Sequence, residues 1–89
     1  MNILELADIL EASIEIFYYP NQDGRFCASF RGCEIKGDGV LCSGHGNGKT
    51  PFEAINNYAN EIVGKVLIFN ASSKEFRREF KCPNTLQNL

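Results

Sequence analysis

One stretch constrains the fold more than any other. Val40-Leu41-Cys42-Ser43-Gly44-His45-Gly46-Asn47-Gly48-Lys49-Thr50 runs from a short apolar segment, through three glycines spaced two apart, into the start of a helix. Ending in Gly-Lys-Thr, it approaches the nucleotide-binding signature G-x-x-x-x-G-K-[ST], a loop whose amides cradle phosphate. Three features turn that reading away. Three residues rather than four separate Gly44 from Gly48. The nucleotide-binding architecture also needs parallel strands wrapped by helices, and an 89-residue chain has no room for a second helical layer. Finally, the helix start needs no ligand. Thr50 is a good N-cap, Pro51 suits the first helical position, and Glu53 completes a capping box. Two jobs are then left for the glycines. They allow a tight strand-to-helix crossing, or their amides, with Lys49, hold an anion such as a nucleic-acid phosphate.

The rest of the chain arranges itself around this crossing. Ile3, Leu6, Ala7 and Leu10 share one face of a short amphipathic helix over residues 3–11, with Glu5 and Asp8 opposite. Residues 14–19, Ile-Glu-Ile-Phe-Tyr-Tyr, read as a strand that Pro20 ends. Asn21-Gln22-Asp23-Gly24 carries a strong Asp-Gly turn signal. Residues 25–31 form a second strand with Phe26, Ala28 and Phe30 on one side. Gly32 marks a bulge or bend before Cys33-Glu34-Ile35-Lys36. Gly37-Asp38-Gly39 turns the chain, residues 40–43 make a third strand, and Gly44 to Lys49 is expected to be loop. A helix spans residues 51–63 with Ala54, Ile55, Tyr58, Ala59 and Ile62 inward, and Gly64 stops it. Residues 66–69 form a fourth, apolar strand. Residues 76–82 form a fifth, with Phe76, Phe80 and Cys82 on one side. The expectation is one α+β domain over residues 1–83 in two layers: α-β-β-β-α-β(-β), an antiparallel sheet with both helices on one face. Residues 84–89 are expected to be a flexible tail.

Charge and composition narrow the function. A formal net charge of -2 argues against a protein that coats nucleic acid by charge alone. No stretch is apolar enough to span a membrane, and residues 1–10 lack the basic cluster of a signal peptide. The expected compartment is the cytoplasm, where Cys27, Cys33, Cys42 and Cys82 stay as free thiols. Zinc is not expected, because the cysteines and His45 form no tight ligand pair. Neither a paired-carboxylate site nor a Cys/His dyad suggests itself, so no enzyme, catalytic residue or cofactor is expected.

The candidate contact residues are His45, Asn47 and Lys49 of the glycine stretch, Tyr18 and Tyr19 of the first strand, and Arg77 and Arg78 of the C-terminal hairpin. Adjacent aromatics on a strand cannot all be buried, and exposed ones favour a contact surface. Arg77 and Arg78, with Lys74 and Lys81, make a basic edge suited to nucleic acid or an acidic partner. The final strand offers a free edge for a homodimer.

The order helix, three strands, helix resembles the double-stranded-RNA-binding domain. There "GHGNGKTPFEAINNYA", Gly44 to Ala59, is similar to the glycine loop that enters that family's second helix. Where that family clusters lysines, this chain has Lys49. Thr50, Glu53 and Ala54 also resemble the Thr-x-x-Glu-Ala helix start of HicB-type antitoxins. The longer run "GHGNGKTPFEAINNYANEIVGKVLIFNA" resembles small accessory proteins of phages and prophages, a class that includes anti-CRISPR inhibitors of host defence. That last resemblance implies a non-enzymatic phage protein acting in the host cytoplasm. It would bind and block a host protein complex, a CRISPR nuclease being one candidate. The first two imply a nucleic-acid-binding module and an antitoxin-like partner respectively.

Overall fold

The computed structural model describes all 89 residues. The first helix, α1 (Ile3–Leu10), opens on a reciprocal cap. Asn2 Oδ1 accepts the Glu5 N–H, and Glu5 Oε1 accepts the Asn2 N–H, both at 3.0 Å. Two otherwise orphaned helix amides are satisfied in this way. Strand β1 (Ile14–Tyr19) turns through Asp23 and Gly24, both at positive φ, into β2 (Arg25–Phe30). Then come β3 (Cys33–Lys36), β4 (Leu41–Cys42) and β5 (Gly46–Gly48). Helix α2 (Pro51–Ile62) is capped by Thr50, whose hydroxyl accepts the Glu53 N–H at 3.1 Å. Gly64, at φ 71°, turns the chain out of α2 into β6 (Val66–Phe69), and β7 (Arg78–Lys81) pairs beside it.

The α+β class is as the sequence implies, but the strands form two antiparallel sheets instead of one. Their orders are β1-β2-β5 and β4-β3-β6-β7. The division falls at Arg31-Gly32. Ala28 pairs with Gly46, and Ile35 with Cys42, so residues 29–34 face only residues 43–45. The surplus is taken up by a turn with Gly32 at φ 65°. Backbone bonds on either side hold this bend. The Arg31 N–H donates to the Ser13 carbonyl, and the Asn70 N–H donates to the Gly32 carbonyl.

One apolar core joins both sheets and both helices. Ile3, Leu6 and Leu10 of α1 meet Ala54, Tyr58, Ala59 and Ile62 of α2, Phe30 of β2, and Leu67 and Phe69 of β6. No helix is long and apolar enough to cross a membrane. None of the four cysteines is in a disulfide; Cys33 and Cys82 are buried, Cys27 is half-buried and Cys42 is exposed.

Two expectations at the C-terminus are corrected. Phe76 lies outside β7 and is exposed, because that strand begins only at Arg78. Residues 84–89 are docked, not loose. Leu86 is buried in the core, the Gln87 N–H donates to the Met1 carbonyl, and the Leu89 N–H donates to Asn56 Oδ1. A single apolar side chain, Leu86, anchors a polar segment that composition alone reads as solvated. Leu86→Ala is expected to cost about 2 kcal/mol, read as a lowered urea midpoint with an unchanged slope. A midpoint equal to that of the wild type would mean that the segment is not docked in solution.

Candidate functional site: the open face of the first sheet

The glycine stretch is strand, not loop. Gly46, Asn47 and Gly48 form β5 and pair with Ala28, Cys27 and Phe26. Backbone direction alternates along an antiparallel strand. Since Arg31 bonds back to Ser13, the odd residues of β2 face β1 and its even residues face β5. The amides of Gly46 and Gly48 are thereby committed to the ladder and cannot cradle a phosphate. Their missing side chains have a different reason. A Cβ on Gly46 would lie 2.1 Å from the Tyr58 nitrogen and 2.2 Å from the Ala54 carbonyl oxygen. One on Gly48 would lie 2.6 Å from the Ala54 nitrogen. The β5 backbone rests directly on the α2 backbone, so the alternating glycines are a packing seam.

Period-two alternation then turns the residues between the glycines outward. His45 and Lys49 are exposed and Asn47 is half-buried. Across the sheet, the register sets Asn47 beside Cys27, Cys27 beside Phe17, and Arg25 beside Tyr19. The outer face therefore gathers Phe17, Tyr19, Arg25, His45, Asn47 and Lys49. Phe17 is 51% exposed and Tyr19 41%. Helix α2 covers the opposite face, where Tyr58 meets Phe30 edge-on at 5.5 Å. At one end of the open face, Gln22, Asp23, Arg25, Asn47, Lys49 and Glu53 frame a polar cleft of about 280 Å³. Its two cations are matched by two carboxylates, so it carries no anion preference. Cys27, at the centre of the face, has its thiol pushed up by burial, an effect opposed by Arg25.

Of the residues singled out from sequence, His45, Asn47, Lys49 and Tyr19 are brought together. Tyr18 is not. It points to the other side of β1, with its ring 4.8 Å from that of Phe26. Arg77 and Arg78 lie at the far sheet and are engaged there. Arg77 Nη1 donates to the Ala71 carbonyl at 3.0 Å, and the Arg78 guanidinium sits 4.7 Å over the Phe69 ring. Lys81 likewise donates to the Gly64 carbonyl, and Lys36 pairs with Glu79. The basic edge is largely taken up in holding its own hairpin. Phe17 and Arg25 belong to the open face but need the register to be recognised. Cys27, Cys33, Cys42 and His45 do not converge as a metal site.

The chain matches no protein-family model, no curated protein and no solved structure.

Proposed function

We propose that this chain is a non-enzymatic binding protein that docks on a protein complex through the open face of its first sheet and blocks it sterically. The observation that carries the reading is the pair of half-exposed aromatics, Phe17 and Tyr19, on a helix-free sheet face beside Arg25, Asn47 and Lys49. Aromatic side chains and arginine dominate protein interfaces, because they offer large rigid contact area at small entropic cost. Mixed charge at the polar cleft suits a protein surface better than a polyanion. The resemblance to small phage proteins narrows the target to a host-defence complex such as a CRISPR nuclease.

The test is affinity capture from host lysate with the tagged protein, before and after nuclease digestion, followed by an activity assay on whatever is retained. One protein complex should survive digestion, and its activity should fall when the chain is added. The double variant Phe17→Ser/Tyr19→Ser should weaken capture at least about tenfold, the loss of two anchor side chains. Its urea midpoint should stay close to wild type, since both rings are half in solvent. Capture of RNA or DNA that vanishes on digestion and weakens steeply with salt would replace this reading with single-strand stacking on the same face.

A further inference from the structure

We infer that β1 is a homodimerisation strand, pairing antiparallel with β1 of a second copy to make one continuous six-stranded sheet. The inference concerns the edge of the first sheet and does not rest on the reading of its face.

β1 pairs only with β2, and no strand lies on its other side. Its odd residues bond to β2, so the N–H and C=O groups of Ile14, Ile16 and Tyr18 point away from the molecule. The remaining edges are guarded. β7 carries Arg78, Glu79 and Lys81, and β4 is two residues long. On β5, the Asn57 side chain donates to the Asn47 carbonyl. Charges, short length and covering groups are the usual means of blunting an edge. β1 is six residues long, and its one such device is a single charge, Glu15. It also presents four consecutive large side chains to solvent, Ile16, Phe17, Tyr18 and Tyr19.

The occupant that fits is the strand itself. A two-fold centred on Ile16 places Ile16 opposite Ile16 of the second copy and Ile14 opposite Tyr18. All the outward backbone groups then meet donors and acceptors within the strand. The same register sets Glu15 opposite Phe17, so the like charges never face each other, whereas centring on Glu15 would oppose them. Even residues meeting even residues put both copies' helices on the same side of the joined sheet. Ile16 and Tyr18, which lie on the helix side yet stay 41% and 54% exposed, then gain apolar neighbours. A patch that meets its own copy in this way is an isologous interface.

Sedimentation equilibrium on the full chain over roughly 1–500 µM, combined with amide hydrogen exchange, tests the inference. The expected result is a dimer of twice the 10.0 kDa chain mass, with the Ile14, Ile16 and Tyr18 amides protected in proportion to the dimer. Ile16→Lys sets two lysines face to face on the two-fold and should weaken the dimer at least about tenfold. Far-UV circular dichroism of that variant should stay at the wild-type signal, because Ile16 is already half in solvent. A monomer throughout the range with those three amides exchanging freely would overturn the inference. So would a dimer indifferent to Ile16→Lys, or protection of these amides only when a foreign protein is added.

Discussion

Replacing Gly46 with alanine is expected to cost about 3 kcal/mol or more, or to leave the chain unfolded, because overpacking against backbone has no flexible side chain to absorb it. The added methyl would sit 2.1 Å from one α2 backbone atom and 2.2 Å from another. Relieving it means lifting β5 off α2, which strips Tyr58 and Ala54 of their cover. The neighbouring glycines grade the effect. Gly48→Ala meets Ala54 and Glu53 atoms at 2.6–2.8 Å and should rank second. Gly44→Ala meets the end of the Ile35 side chain, which can rotate, and should rank third. Gly39→Ala has open space around it but a φ of 79°, so it should show only the backbone cost of about 1–2 kcal/mol. Urea unfolding of the four variants reads the order directly. A phosphate-holding loop would behave in the opposite way, keeping its stability while losing a ligand. Gly46→Ala within about 1 kcal/mol of wild type would show that β5 does not rest on α2.

The helix that follows was legible because its signals are local. Thr50, Pro51 and Gly64 each specify a terminus through their own backbone chemistry. The β1–β2 hairpin was legible for the same reason, from Asp23-Gly24 between two runs of strand formers. β5 was not. Gly-Asn-Gly has no β-branched or aromatic residue, and it becomes a strand only because β2 presents a free edge and α2 a flat surface. Strand preference here is tertiary packing, not an intrinsic leaning of the residues. Gly32 could be read as a bend, but six residues facing three is a property of the pairing and splits the sheet where one sheet was expected. The candidate site divides in the same way. His45, Asn47 and Lys49 alternate visibly with glycines, but they share a face only because the stretch is a strand, which the sequence reads as loop. Their adjacency to Phe17, Tyr19 and Arg25 depends on register across three strands. The charges of Arg77 and Arg78 were visible, but their engagement with Ala71 and Phe69 was not.

Tyr58→Ala is expected to cost about 4 kcal/mol, in line with loss of a large buried aromatic, and the wild-type protein should lose stability as pH rises above 9. Tyr58 is 1% exposed. Its ring meets Phe30 edge-on at 5.5 Å, and Phe30 leans on Phe69 at 6.0 Å, so the stack ties α2 to both sheets. The phenol lies beside the Phe30 backbone and the Cys33 thiol. Burial, the largest cause, raises the Tyr58 phenol far above its ordinary 10.0 and pushes the Cys33 thiol from 9.0 up to about 11. Burial also raises the Cys82 thiol. All three groups are neutral when protonated, and burial penalises their ionised forms. The unfolded chain therefore releases these protons at lower pH than the folded one does. The thiols' contribution to stability is complete below about pH 9, and the Cys33 share is lost as pH rises through about 11, whereas the Tyr58 share begins to fall only above its ordinary 10.0. Urea midpoints at pH 7, 9, 10 and 11 should fall progressively, the steepest loss coming after 9. Tyr58→Phe separates the two parts of this prediction. It keeps the ring, so its loss at pH 7 should be only about 1 kcal/mol, the share of the hydroxyl's hydrogen bonding. It also removes one buried acid, and Tyr58→Phe/Cys33→Ala removes two, so the alkaline decline should become shallower in that order. An alkaline slope in the double variant as steep as in the wild type would show that these buried groups do not set it.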